Sequence, residues 1–176
     1  MKKIVFRYGL IGIGVMTAIL LTSFFVFHSQ RNWEVEEILG WVTIVLSLLF
    51  VYVAIRQWRD QYNNGVLTFG QGLKLGTLVT LFPSIAFGLF TWLEMSILDP
   101  GFSDKYYSHY IEKVKAATPP DKLQAALHDL ESQKEMYSSP FAQFIVMFLS
   151  VFIVGFIITI IATMILRRKQ SKVKTA

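Results

Sequence analysis

Two histidine–glutamate pairs are the residues in this sequence whose types and spacing are best suited to chemistry. His109 stands three residues before Glu112, and His128 stands three residues before Glu131. Residues three apart share one face of a helix, so each pair offers an imidazole nitrogen and a carboxylate to a metal ion. Two such pairs on neighbouring helices are similar to a carboxylate-bridged metal site, with the order of Glu and His reversed.

Helix geometry argues against that metal site. At about 100° per residue, the first pair points away from the apolar stripe formed by Tyr107, Ile111 and Val114, and the second pair lies off the leucine stripe of its own segment. If the apolar stripes form the contact between the segments, both pairs face water and away from each other. We therefore expect no bound metal, no cofactor and no catalytic residue, and we expect that the protein is not an enzyme.

The composition excludes several other kinds of functional site. The chain has 176 residues and no cysteine, which excludes a disulfide scaffold, a thiolate zinc site and a cysteine nucleophile. Glu37 and Glu94 stand at the ends of apolar segments. Ionisable groups within a bilayer are suspected of function, but both positions fall at the predicted membrane boundary, where a carboxylate reaches water.

The elements that must position these residues are four uncharged apolar runs. They cover residues 8–27, 38–55, 75–93 and 141–166, in a chain that is 53% hydrophobic and only 16% charged. About 20 helical residues cross the hydrocarbon core of a bilayer, and the runs lack the polar stripe of a helix in a soluble bundle. The sequence predicts an all-α integral membrane protein, a single membrane domain over residues 1–176, with transmembrane helices at about 8–27, 36–56, 72–94 and 141–166.

Charged residues predict how the chain threads the membrane. The two ends and the second connection together carry eleven basic residues and one acid, whereas the first and third connections carry six basic and eleven acidic residues. Basic loops favour the cytoplasmic side, so both termini are expected there.

The first run ends without a small-x-small cleavage site, which indicates a retained helix. The net charge of +5 is thus explained by orientation, and no nucleic-acid surface is expected.

The connections contain clear local signals. Asn32 is a good N-cap for the second helix, and Asn64-Gly65 predicts a tight turn because both residues tolerate positive φ. Residues of about 95–140 form the third connection, an extracytoplasmic segment. Within it the sequence predicts a short helical hairpin of residues 104–117 and 121–137, joined by a proline-rich turn.

Small residues and a proline mark expected helix packing. Gly72 and Gly76 lie four apart on one face, as do Gly14 and Ala18, and small residues at this spacing let another helix approach closely. We favour this interpretation over a phosphate loop because no strand precedes the glycines and no Walker-type Lys follows them. Pro83 lies inside the third span, where it predicts a kink.

Four stretches resemble a bacterial membrane-protein family known only as a domain of unknown function (number 4199). They are Lys2-Lys3-Ile4-Val5-Phe6-Arg7-Tyr8-Gly9, Asn32-Trp33-Glu34-Val35 with Glu37-Ile38-Leu39-Gly40, the inner loop Arg59-Asp60 to Gly70 with Lys74 and Gly76, and Glu135-Met136-Tyr137 with Pro140 leading into the last helix. The resemblance implies a four-span protein of the bacterial inner membrane, places the third connection in the periplasm, and supplies no catalytic residues.

The sequence therefore favours a structural or protein-interaction role in the membrane. Its expected partners are the lipid bilayer and either further copies of itself or a larger membrane complex, with no known small-molecule substrate. A small transporter or channel subunit is the main alternative, because the spans contain scattered Ser and Thr residues, and a membrane-bound metalloenzyme is a further one.

Overall fold

The computed structural model describes residues 1–27 and 32–167, and these residues form helices joined by short connections. The α-helices are α1 (Lys2–Phe27), α2 (Trp33–Gln57), α3 (Phe69–Leu93), α4 (Phe102–Ala117), α5 (Pro120–Tyr137) and α6 (Pro140–Leu166). A π-helical turn extends α2 over Trp58–Tyr62, and another extends α3 over Glu94–Leu98. The described residues contain no extended strand, so the all-α expectation is confirmed.

Four of these helical segments are long and apolar enough to cross a membrane. They are Lys2–Phe27, Trp33–Tyr62, Phe69–Leu98 and Pro140–Leu166. Their large outward-facing side chains are predominantly apolar, as a lipid environment requires. The chain is thus a multi-pass membrane protein with four spans.

Local capping explains where α2 and α3 begin. Asn32 Oδ1 accepts a hydrogen bond from Val35 N at 3.2 Å, which fixes the start of α2 at Trp33. Thr68 and Gln71 form a reciprocal capping box, in which Thr68 N donates to Gln71 Oε1 at 3.2 Å and Gln71 N donates to Thr68 Oγ1 at 3.3 Å. Asn32 thus caps α2 as predicted, and α3 begins at Phe69.

The contacts divide the chain into two units, and α3 and α6 contribute residues to both. The first unit comprises Met1–Phe87 and the chain from Phe148 onward. Its interior is apolar and closely filled, and the side chains with at most 2% exposure include Met16, Leu48, Val51, Val79 and Val151.

The second unit is Gly88–Met147, which contains the predicted third connection. Two residues separate α4 from α5 in the chain, and the two helices contact each other. Lys134 Nζ of α5 lies 2.7 Å from Asp104 Oδ1 of α4. Before α4, Asp99 is buried and accepts two hydrogen bonds from Lys105 Nζ, at 2.9 and 3.1 Å. This pair fixes the first turn of α4 against the preceding bend.

Candidate functional site

The glycines of α3 lie directly against threonines of α6 in the first unit. A β-carbon added at Gly72 would lie 2.5 Å from Thr163 Cγ2, and one added at Gly76 would lie 2.7 Å from Thr159 Oγ1. Only glycine leaves room for the threonine side chains there. The structure thus places Gly72 and Gly76 in a helix-packing seam, not around a ligand.

One turn further along, the threonine belongs to α3 and the glycine belongs to α6. Thr80 of α3 packs on Gly155 of α6, where an added β-carbon would lie 2.9 Å from Thr80 Oγ1. Each helix therefore supplies both glycine and threonine, four residues apart. Residue numbers rise along α3 as those of their partners fall along α6, so the two helices are antiparallel, and their backbones lie close together. We call these six residues the glycine–threonine seam: Gly72, Gly76, Thr80, Gly155, Thr159 and Thr163.

The buried hydroxyl groups of the first unit are used in two ways. Several donate to a carbonyl oxygen of their own helix: Thr43 to Leu39, Ser47 to Thr43, Ser84 to Thr80 and Thr159 to Gly155. The hydroxyl oxygens of Thr80 and Thr163 have no hydrogen-bond partner among the described residues. Both instead lie against glycine backbone, where a weak Cα–H···O contact is the available interaction.

The expected packing face of α1 requires correction. Gly14 and Ala18 are exposed, and a β-carbon added at Gly14 would meet nothing within 4 Å. The packed glycines of α1 are Gly9, whose added β-carbon would lie 2.5 Å from the ring of Phe82, and Gly12. Spacing of small residues alone predicts a face suited to packing, but the bulk of the neighbouring side chains decides which face turns inward.

Pro83 lies where three helices meet. A β-carbon added at Gly12 of α1 would be 3.5 Å from Ser47 O of α2 and 3.6 Å from the Pro83 ring of α3. Pro83 is buried, and α3 remains helical through it. The missing N–H therefore does not interrupt the helix.

Arg59 joins the connection between α2 and α3 to the end of α6. Its guanidinium donates to both Asp60 oxygens, from Nε at 2.6 Å and from Nη2 at 3.0 Å, and Nη1 reaches Leu166 O at 3.4 Å. The Arg59 side chain is only 11% exposed, whereas Asp60 is 42% exposed. Beyond this contact, Asn64 and Gly65 have φ values of 51° and 75°, which confirms the predicted tight turn.

The structure does not bring the two His–Glu pairs together as a metal site. Glu112, His128 and Glu131 are exposed, as predicted. His109 is half-buried, contrary to the expectation that it faces water, and its ring meets Tyr110 edge-on at 5.6 Å. In the part of the chain that the structure describes, no group of three or more His, Asp or Glu side chains is placed to hold a metal ion.

The acids at the predicted membrane boundary differ in their surroundings. Glu37 is exposed in the second turn of α2. Glu94 is half-buried at the start of the π-helical turn that follows α3, and its carbonyl oxygen accepts a hydrogen bond from Asp99 N at 2.7 Å. The backbone of Glu94 thus helps to end the helix before the bend at Asp99.

An aromatic cluster on α4 surrounds Tyr107, one of the buried residues of the second unit. Tyr107 is 5% exposed, and its ring packs edge-on to Tyr106 at 5.4 Å. Tyr106 also lies 4.6 Å from Tyr110. Burial raises the pKa of the Tyr107 phenol, and Tyr106 and Tyr137 raise it further because two phenolates would repel.

The α6 half of the seam and the role of Arg59 were absent from the sequence analysis. The available signal was the spacing of Gly155, Thr159 and Thr163, four residues apart, which repeats the spacing of Gly72 and Gly76. No comparable pattern marks Arg59, because its partner Leu166 is distant in the chain and offers only a backbone carbonyl oxygen.

A comparison with known protein families finds one whose model covers most of the chain. The family described as "Protein of unknown function (DUF4199)" matches residues 7–168, which include all four spans apart from the first turn of α1. No curated protein and no solved structure matches the chain. Because the match covers most of the sequence, the chain belongs to the DUF4199 family.

Proposed function

We propose that this protein is a non-enzymatic interaction protein of the bacterial cytoplasmic membrane, which acts by binding a neighbouring membrane helix. In this proposal both termini lie in the cytoplasm. The sorting of basic and acidic connections across the four spans supports that orientation. The partner helix belongs either to a second copy or to a larger membrane complex.

The exposed small residues on the second half of α1 carry the proposal. Ala18 and Thr22 lie on the outer surface together with Gly14, between the bulky exposed side chains Leu10 and Phe25. Ala18 and Thr22 border a shallow, largely apolar groove of about 340 Å³ that reaches α2. The groove is lined by Ala18, Ile19, Thr22, Ser23, Val26, Phe27 and Leu39. Small residues facing lipid permit the close approach of a further helix.

The interior of the first unit supports packing over solute passage. Its buried hydroxyl groups mostly donate to their own helix backbone, as Thr43 and Ser47 do at 2.6 and 2.7 Å. Such bonds satisfy a polar group in an apolar surrounding and leave it unavailable to a solute.

Site-specific photo-crosslinking tests the interaction. A photoreactive amino acid replaces Ala18, and the control replaces Leu49 of α2, which is 54% exposed outside the groove. We expect position 18 to give a discrete protein adduct in native membranes, identified by mass spectrometry, and position 49 to give none. The proposal fails if the two positions yield the same products.

Cysteine labelling tests the orientation, and the natural absence of cysteine makes single-cysteine variants unambiguous. Gln133→Cys on α5 and Gln61→Cys beside the inner turn both replace exposed side chains. An impermeant maleimide applied to spheroplasts is expected to label position 133 and to leave position 61 unlabelled until the membrane is broken. The reverse pattern would invert the topology.

A small transporter or channel subunit is the second candidate. The fully buried Thr80 and Thr163 hydroxyl oxygens, which lack a hydrogen-bond partner among the described residues, are the observation that favours it. Solute or ion flux in proteoliposomes that is lost on Glu94→Gln would support this candidate. Flux equal to that of protein-free liposomes would rule it out for the solutes tested.

A further inference from the structure

Three helices of the first unit cross at Gly12. Counting residues from this crossing gives the depth of other residues along each helix axis. Gly12 lies against Ser47 of α2 and Pro83 of α3. The start of α2 meets the end of α1, since Leu39 and Phe27 line one groove, so α1 and α2 are antiparallel. The helices α2 and α3 are also antiparallel, because they follow each other through a short turn.

Measured from this crossing, one basic residue on each of the three helices lies at the same depth. Lys3, Arg56 and Lys74 each lie nine residues from the crossing, toward the same end of the unit. Nine residues correspond to about 13.5 Å along a helix axis, close to half the thickness of the hydrocarbon core. These cations therefore stand near the level of the lipid headgroups.

The first two turns of α1 present cations that have no acidic partner. Lys3 and Arg7 are exposed and four residues apart, so they share one helix face. Neither forms an ion pair with an acid among residues 1–27 and 32–167, and the remaining residues contain no Asp or Glu. Like charges at this spacing repel, and the positive end of the helix dipole adds to the cost. An anion bound between them would relieve both effects.

Among residues 1–27 and 32–167, Asp60 is the acidic side chain at this end of the unit, and it is already engaged. Asp60 accepts both hydrogen bonds of the Arg59 guanidinium, and Arg56 Nε lies 3.7 Å from it. No acidic side chain among the described residues therefore supplies an anion for Lys3 and Arg7.

An apolar strip continues directly from the two cations. Phe6 and Leu10 are each 58% exposed, and at about 100° per residue both lie within one third of the helix circumference from Lys3. The face thus combines one cation at headgroup level, a second cation one turn deeper, and an apolar surface running into the bilayer. A diacyl phospholipid has this arrangement of groups, whereas free phosphate has no part that fits the strip.

We propose that Lys3 and Arg7 bind the phosphate of an anionic phospholipid whose acyl chain lies along Phe6 and Leu10. A net negative headgroup is required because the ammonium of a choline headgroup cancels the phosphate charge. The site lies on the first half of α1 and does not depend on the helix-binding role proposed above for Ala18 and Thr22.

Native mass spectrometry of the full-length protein in detergent tests the site. The probes are dioleoyl-phosphatidylglycerol and dioleoyl-phosphatidylcholine, which share their acyl chains. We expect the Lys3→Gln/Arg7→Gln variant to bind phosphatidylglycerol about 30-fold more weakly than the native protein, since each cation near an anionic surface contributes roughly a fivefold effect. The control Arg56→Gln/Lys74→Gln removes the same charge at the same end of the unit and is expected to retain native affinity.

Each other outcome would overturn the proposal. It fails if the control loses as much affinity as Lys3→Gln/Arg7→Gln, because the effect would then belong to the general positive field. It also fails if phosphatidylcholine binds as tightly as phosphatidylglycerol, or if inorganic phosphate displaces the lipid. A conservative variant, Lys3→Arg/Arg7→Lys, keeps both charges and is expected to bind as the native protein does; its failure to bind would equally exclude the site.

Discussion

Thr159 of α6 occupies the space that a side chain on Gly76 of α3 would need. An added β-carbon at Gly76 would lie 2.7 Å from Thr159 Oγ1, nearer than real β-carbon contacts come. The threonine is not free to turn aside, because its hydroxyl donates to Gly155 O at 2.8 Å. Breaking that bond in a fully buried position leaves a polar group without a partner.

Adding a methyl group at Gly76 is therefore expected to destabilise the protein. Gly76→Ala should lower the free energy of unfolding by about 1–3 kcal/mol, the usual cost of overpacking. Gly14→Ala is the matched control, because a β-carbon there meets nothing within 4 Å. Thermal unfolding in detergent, followed by circular dichroism, gives the comparison. Equal melting temperatures for the two variants would contradict the seam.

Shortening the Thr159 side chain should restore part of the stability that the methyl group at position 76 removes. Thr159→Ala deletes both Cγ2 and Oγ1, the atoms nearest to the added carbon. We expect the double variant Gly76→Ala/Thr159→Ala to lose less stability than the two single variants together, with a coupling of about 0.5–3 kcal/mol. Strictly additive losses would show that the two residues do not compete for space.

The two arginines beside Asp60 should differ in their contribution to stability. Arg59 is 11% exposed and holds Asp60 through two hydrogen bonds, whereas Arg56 is 64% exposed and lies 3.7 Å from the same carboxylate. Arg59→Gln is expected to cost about 1–3 kcal/mol, and Arg56→Gln within about 0.5 kcal/mol. Chemical unfolding of both variants tests this, and a larger loss for Arg56→Gln would refute it.

Tyr107 should make stability depend on alkaline pH. Burial raises the pKa of its phenol above the ordinary value of 10.0. Because the folded state favours the neutral form, this contribution is fully present below about pH 10 and is lost as the pH rises through the raised value. Titration of tyrosinate absorbance in the folded protein should show one late phenol that Tyr107→Phe removes. Tyr62→Phe, in the other unit, must leave that late step in place.

The same variant predicts the direction of the stability change. Tyr107→Phe cannot ionise at this position, so its unfolding free energy should fall less steeply above pH 10 than that of the native protein. A steeper fall, or loss of the late step in Tyr62→Phe, would place the buried phenol elsewhere.

Predictions from the sequence were best where the cause is local. Asn32 caps α2 through Val35 N, and Asn64 and Gly65 adopt positive φ, because each effect depends on residues a few positions apart. The partner of Gly76 could not be found in this way, since Thr159 lies far along the chain. The sequence likewise did not indicate which glycines of α1 pack within the chain: Gly9 and Gly12 do, and Gly14 does not.

The sequence by itself determined that this protein lies in a lipid bilayer and that it has four spans. Long uncharged runs cannot leave the bilayer without exposing their apolar surface to water, so composition and length were sufficient. Only the tertiary structure decided which small residues serve packing and which remain open on the lipid face. Rotation of a helix about its axis is set by the bulk of every neighbour at once, and a periodic pattern in one helix does not contain that information.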